Sequence, residues 1–437
     1  MATIDYEAES RHCQAEVARH FRWNFGVNVL DGAFYWFGIN FAAPSTIVAL
    51  YARHLTQNAM LIGLIATIAG SGFSLPQLFT ANYIRRMPVK KDAPVKIGLF
   101  SERLPFFVLA ASAFLLPIRA PQTALIVLFL ALTWNHFGAG LVAVGWQEMI
   151  AKVIPVQYRG RLLGIANFVG TATGVLGAAA AAGVLYRYPF PTGFAICFLI
   201  AGVFAMLSWI SLALTREPPL HSQSPETSFR DFARRLPSVL RHDRNFALFI
   251  AARIANAFGR MGIGFLTVYA VERWFLSDAQ AGLYTAAMLI GQAIANLILG
   301  TLADRRGHKL VLEISVALGV LAMISAVVAP SPSWMYAAFA AIGAVTASDI
   351  LSGISIAMEF SSAEDRPTYI GMASTIPGLF SAIAPLIGGA IASLAGYQTT
   401  FLVSAVCGLA SLIILRLLVR EPRLVDVQAT VGTASSN

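Results

Sequence analysis

Apolar residues in this chain run on in long unbroken stretches and do not alternate with polar ones. Stretches of about twenty residues rich in Leu, Ala, Ile, Gly and Phe are separated by short polar connections. A run of that length, wound as helix, crosses the hydrocarbon core of a bilayer. Twelve such runs are expected, at 25–50, 59–82, 97–117, 121–148, 162–185, 193–214, 246–271, 279–302, 310–329, 334–358, 369–394 and 398–419. A transmembrane β-barrel would need alternating segments of about ten residues, so the expected class is all-α and integral to the membrane. Composition agrees. In 437 residues, 57% are hydrophobic and 12% charged, and the mean hydropathy is +0.68, which leaves too little polar surface to cover a soluble globule of this size.

Charge refines the picture. Of the 31 lysines and arginines, 24 fall in the tails, in every second connection and, for Arg416, in the last turn of the final span, 4 in the other connections (Arg53, Arg119, Arg187, Arg273), and 3 deeper within expected spans (Arg103, Arg253, Arg260). Retained positive charge marks the cytoplasmic side, so both termini are expected there, in the inner (cytoplasmic) membrane of a prokaryotic cell. The net charge of +9 then lies along one membrane face, where anionic lipid explains it, and no nucleic-acid partner is expected. The first 24 residues are polar, with no apolar core before a small-residue cleavage site, so no removable signal peptide is expected. Cys13, Cys197 and Cys407 stand singly, with no disulfide or metal-ligand spacing, and neither metal nor cofactor is expected.

Residues 215–245 form the longest polar stretch, Pro-rich and then basic, and read as a cytoplasmic linker. The expected organisation is a tail at 1–24, a six-helix bundle at 25–214, the linker, a second bundle at 246–419 and a tail at 420–437. The halves echo one another. Asn24-Phe25 followed by Phe37-Gly38 matches Asn245-Phe246 followed by Phe258-Gly259; "REPP" from Arg216 matches "REPR" from Arg420; "RGRLLG" from Arg159 matches "RPTYIG" from Arg366.

The stretch "GTLADRRGHK", Gly300 to Lys309, closely resembles the signature loop of the major facilitator superfamily, G-x-L-a-D-R-x-G-R-K, with His308 in place of the penultimate Arg. "VIPVQYRGRLLG" and "APLIGG" extend the resemblance over nearly the whole chain. It implies two pseudo-symmetric six-helix bundles, a signature loop that braces the cytoplasmic gate, and a central cavity lined by spans one, four, seven and ten. In that loop Gly300 and Gly307 are read as permitting the turn, Asp304 as facing a helix N-terminus, and Arg305, Arg306 and Lys309 as topology anchors. Arg159 and Arg161 are the expected partners of the brace. The first half carries "LFTANYIRRMPVKK" instead, with Asn82 where the second half has Asp304, so the two gate halves are expected to be unequal. "GTATGVLG", Gly170 to Gly177, has spacing suited to close helix approach and resembles the span-five signature of drug and proton antiporters, but Val175 replaces its proline.

Polar groups at depth in a span are costly and usually face a cavity or a partner. The substrate-binding candidates are Asp31, Tyr35 and Trp36 in span one, Trp134 and Asn135 in span four, Asn256 and Arg260 in span seven, and Asp349 in span ten. Arg260 reads as an anchor for an anionic group, or else Arg253 or Arg260 pairs with Asp349 or Asp31. Asp31, Asp349 and His136 are the proton-coupling candidates. Glu102, Arg103 and Glu148 are expected to pair with cytoplasmic loop arginines. No phosphate-binding loop or nucleophile elbow occurs in the sequence. The expectation is a non-enzymatic secondary transporter of a small molecule, working as a monomer, with a membrane sensor or membrane-embedded enzyme as the alternatives.

Overall fold

The computed structural model describes residues 6–220, 239–353, 355–361 and 366–422, and among them it contains fourteen α-helices and no strand. They fall into two compact units. Unit 1 comprises Met1–Gln57, Ile68–Glu226 and Ser277–Ala286; unit 2 comprises Asn58–Thr67, Thr227–Leu276 and Ala287–Asn437. Unit 1 is built from α1 (Tyr6–Ile39), α2 (Ala49–Leu55), most of α3 (Ala59–Arg86), α4 (Leu104–Leu115), α5 (Pro121–Val153), α6 (Val156–Arg187) and α7 (Thr192–Ala213). Unit 2 takes the first turns of α3, then α8 (Arg244–Gly259), α9 (Leu266–Trp274), most of α10 (Asp278–Arg306), α11 (His308–Val328), α12 (Ser333–Ser352), α13 (Ser355–Glu359) and α14 (Arg366–Ile413).

Ten helical segments among the described residues are long and apolar enough to cross a membrane, where the hydropathy pattern predicts twelve. Two of the expected spans account for the difference. The segment Tyr369–Leu418 runs through both of the last two expected spans, turning at Gly396, whose φ of 84° lies in the left-handed region open to glycine. The run at 97–117 is broken by π turns at Ala93–Ile97 and Leu99–Arg103, leaving α4 only 12 residues long. Pro94 and Pro105 supply the cause, because each lacks a backbone N–H for the regular ladder. Helix α1 begins at Tyr6, so the polar segment before residue 25 is wound continuously with the apolar one.

Helix ends follow local chemistry. Pro121 sits in the first turn of α5, where its missing N–H costs nothing. Asp243 caps α8, its Oδ1 accepting from the Phe246 N–H at 2.8 Å. Within unit 1, α1 packs on α6 and α7, and α4 on α5 and α7. Within unit 2, α8 packs on α14, and α11 on α12 and α14. Glycines allow the closest approaches: a Cβ at Gly177 of α6 would collide with the Phe37 backbone of α1, and one at Gly343 of α12 would collide with the Met288 carbonyl of α10.

The internal repeat is visible as repeated hydrogen bonding. In unit 1, Asn24 Nδ2 donates to the Arg216 carbonyl at 2.8 Å and the Arg216 N–H donates to Asn24 Oδ1 at 2.8 Å. In unit 2, Asn245 Nδ2 donates to the Arg420 carbonyl at 3.1 Å and the Arg420 N–H returns to Asn245 Oδ1 at 2.8 Å. Each asparagine thus clasps the chain leaving the sixth helix of its own half. The neighbouring Phe25 and Phe246 pack into the apolar clusters beside these clasps.

Candidate functional site

The most chemically loaded place in unit 1 is a cavity of about 320 Å³ between α1, α5 and the π turn before α4. Asp31, Tyr35 and Trp36 reach it from α1, Asp31 and Tyr35 on one face at a spacing of four and Trp36 from the adjoining one; Glu102 and Arg103 come from the π turn, and Trp146 from α5. Asp31 is 7% exposed and accepts a 2.6 Å hydrogen bond from Ser208 Oγ of α7. Arg103 is 4% exposed and its Nη1 pairs with Oε2 of the adjacent Glu102, while its buried Nε–H has no partner among the described residues. The expectation that Glu102 and Arg103 reach loop arginines is corrected here: they pair with each other in the cavity wall. The missed signal was their position inside an expected span, where a charge is costly unless it is paired or lines a cavity.

A second cavity of about 350 Å³ shares Tyr35, Trp36, Phe73 and Ala139 with the first and adds Asn135 and His136. Asn135 Nδ2 donates to the Glu102 carbonyl at 2.6 Å, which ties α5 to the π turn. Trp134 is 43% exposed and lines neither of these two cavities, because on α5 it is rotated by about 100° from the buried Asn135. Gly170 of α6 lies against the Trp36 ring, where a Cβ would meet Cδ1 at 2.5 Å, and this is the part of "GTATGVLG" that shapes the cavity.

In unit 2 an ion cluster joins two helices. Arg253 Nη1 lies 3.0 Å from Asp349 Oδ1, and Arg260 Nη1 pairs with Asp349 Oδ2. One carboxylate is therefore shared by two guanidiniums, joining α8 to α12. Asp31 belongs to unit 1 and takes no part. Asn256 is buried in α8. Next to Asp349 on α12, Ser348 is turned back onto the Ala344 carbonyl at 2.8 Å.

The connection after α10 departs from expectation in one respect. Gly307 has φ of 91° and makes the turn, but Gly300 lies inside α10 with open space around it, because the helix runs on to Arg306. Arg305 and Arg306 are exposed. Lys309 Nζ is 3.2 Å from Glu313 Oε1, and Arg416 Nη1 is 3.0 Å from Glu313 Oε2. Arg159 is spent within its own half, its Nε donating to the Ile154 carbonyl at 3.0 Å and its Nη2 to that of Ala151, at the C-terminus of α5. Arg161 is exposed. The side chains of Asp304, Asn82 and Arg366 lie outside the described residues.

Glutamates that the sequence reading did not single out hold these connections. Glu217, from "REPP", accepts from the Lys90 N–H at 2.8 Å, the Lys91 N–H at 2.7 Å and Lys152 Nζ at 2.9 Å. Glu421, from "REPR", lies beside Gly307, where a Cβ would approach its Oε1 to 2.8 Å. The repeat itself was the available signal, because the same acidic residue follows the clasped arginine in both halves.

With fold and site in place, similarity to known proteins falls in line. The family model described as Major Facilitator Superfamily matches residues 249–434. The niacin transporter NiaP of Acinetobacter baylyi is 26% identical over 141 residues, 32% of this chain and 32% of that protein. The aligned part thus spans about a third of the length of that curated relative. Among solved structures, the nucleoside transporter NupG superposes with a TM-score of 0.64 at 14% identity, covering 90% of this chain and 99% of that one. A POT family transporter in complex with 5-aminolevulinic acid gives 0.68 at 12% identity, covering 91% and 96%. A bacterial homolog of the human lysosomal transporter Spinster gives 0.62 at 15% identity, covering 96% and 98%. These superpositions show the fold, and the membrane-length helical segments among the described residues make it a multi-pass helical membrane protein. The match to the Major Facilitator Superfamily model covers the second half of the chain, residues 249–434.

Proposed function

We propose that the protein is a secondary transporter that carries a small organic molecule across the cytoplasmic membrane by alternating access, with a proton as the coupled ion. The observation that carries this reading is the cavity in unit 1, where Asp31, Glu102 and Arg103 stand at bilayer depth among aromatic rings. Charged side chains so placed are expensive to keep, and in membrane proteins they mark substrate or ion pathways. Asp31 and His136 are the coupling residues in this reading: neither is ion-paired among the described residues, whereas Asp349 is occupied by two arginines. In unit 2, Arg260 is the anchor for an anionic group whenever Asp349 is satisfied by Arg253 alone. Asp304 matters more than Asn82 for gating, because only the first can brace as a charge.

The test is flux into proteoliposomes. Radiolabelled small metabolites of cationic, neutral and anionic classes, nicotinate among the anions because of the relative named as a niacin transporter, are offered with and without an imposed pH gradient. Saturable flux that responds to the gradient is the expected result. Flux indifferent to the gradient removes the proton, and binding without any flux makes the protein a sensor. Equal loss of flux in Asp304→Asn and Asn82→Ala contradicts the unequal gates.

A further inference from the structure

We infer that the cavity of unit 1 takes a monocationic aromatic amine bearing a neutral hydrogen-bond acceptor, its ammonium at Asp31 and its acceptor at Arg103. The inference rests on the transport reading and names the ligand class of that same site. It starts from charge. Asp31 and Glu102 are two carboxylates, Arg103 is one guanidinium, and Glu102 already holds Arg103. Asp31 is left over inside an expected span, bonded to Ser208 at 2.6 Å with Trp146 beside it but with no ion-pair partner of its own among the described residues, and a buried charge without a full counter-charge is strongly disfavoured. A monocation balances the cavity; an anion doubles the imbalance.

The walls select the body of the ligand. Tyr35, Trp36, Phe73 and Trp146 all line the space, and aromatic faces attract cations and stack on flat rings. The volume of about 320 Å³ lies at the lower end of the range for small-molecule sites, which suits a compact single-ring or bicyclic amine. Arg103 supplies the remaining feature. It lines the cavity, and its guanidinium carries more N–H donors than the one that Glu102 holds, so an oxygen on the ligand would accept from it. That oxygen is neutral in this assignment, because a carboxylate would restore the negative excess that the ammonium removes.

The experiment uses the purified full-length protein in detergent, titrated calorimetrically with three probes on one scaffold: tyramine, phenethylamine and 4-hydroxyphenylacetate. Tyramine is expected to bind, phenethylamine to bind several-fold more weakly for want of the hydroxyl, and 4-hydroxyphenylacetate not to compete. Asp31→Asn should weaken tyramine about tenfold or more, equivalent to about 1.4 kcal/mol per tenfold, while Asp31→Glu retains binding. Trp36→Leu should weaken both amines together. Arg103→Lys, which keeps a cation beside Glu102 but removes the forked guanidinium donors, should close the gap between tyramine and phenethylamine. The inference is overturned if tyramine fails to bind, if 4-hydroxyphenylacetate binds as tightly, or if Asp31→Asn binds tyramine as the parent does. Should Asp31→Asn not fold, unchanged tyramine affinity in Trp36→Leu overturns it equally. Flux measured in parallel separates the two claims: tyramine binding without flux removes transport and leaves the site, and flux of other molecules without tyramine binding does the reverse.

Discussion

The two units answer the same problem, charge inside membrane-length helical runs, with opposite stoichiometry. In unit 1, two carboxylates, Asp31 and Glu102, stand with one guanidinium, Arg103, around an open cavity. In unit 2, two guanidiniums, Arg253 and Arg260, close on one carboxylate, Asp349. A duplicated fold therefore keeps its clasps and helix order while its buried charges diverge. The lesson is that the repeat preserves scaffold and not chemistry: Asn24 and Asn245 make the same pair of bonds, but the residues that would meet a ligand have no counterparts of like charge.

The sharpest way to break this comparison is to remove each central carboxylate. Asp349→Ala strands two guanidiniums and is expected to cost about 3 kcal/mol or more, the range for breaking a buried ion pair. It should give the largest drop in melting temperature of the purified protein. Asp31→Ala leaves no stranded cation and should lower the melting temperature far less. A double variant, Asp349→Ala with Arg260→Leu, should recover part of the loss, and strict additivity would show that the pair is not energetically coupled. Next in size is Glu217→Ala, which removes the acceptor of two backbone N–H groups and an ammonium and should cost about 2 kcal/mol.

The symmetric element provides the control. Asn24→Ala and Asn245→Ala should each cost about 1–2 kcal/mol and by similar amounts; losses that differ severalfold in thermal melts would mean that the clasps are not equivalent. The smallest effects concern the two glycines of the signature stretch. Gly307→Ala should cost about 1 kcal/mol because its φ is left-handed, whereas Gly300→Ala should stabilise by about 0.5–1 kcal/mol because Gly300 is helical with open space where a Cβ would go.

Much of the fold was legible along the chain. The bilayer sets a length and demands apolar side chains, so continuous hydrophobic runs disclose spans without any knowledge of packing. The runs also misled where backbone chemistry intervened: Pro94 and Pro105 break the stretch at 97–117 into π turns and a 12-residue helix, and hydropathy is blind to that break. The site was legible only as a set of candidates. Asp31 and Tyr35 share a face by local spacing and do line one cavity, but Trp134 and Asn135 are neighbours in sequence and have different surroundings.

Class, span length and the residues able to carry charge within a span were determined by the sequence alone, because each depends on composition or on periodicity within one helix. Partners were decided by the tertiary structure. Arg253 meets Asp349 across 96 positions, and Ser208 meets Asp31 across 177. Glu102 turned to Arg103 and not to a loop because a π turn places both in the cavity wall. Which charge is neutralised and which is left open follows from how helices cross, and contacts between residues so far apart in sequence leave no periodic trace in the chain.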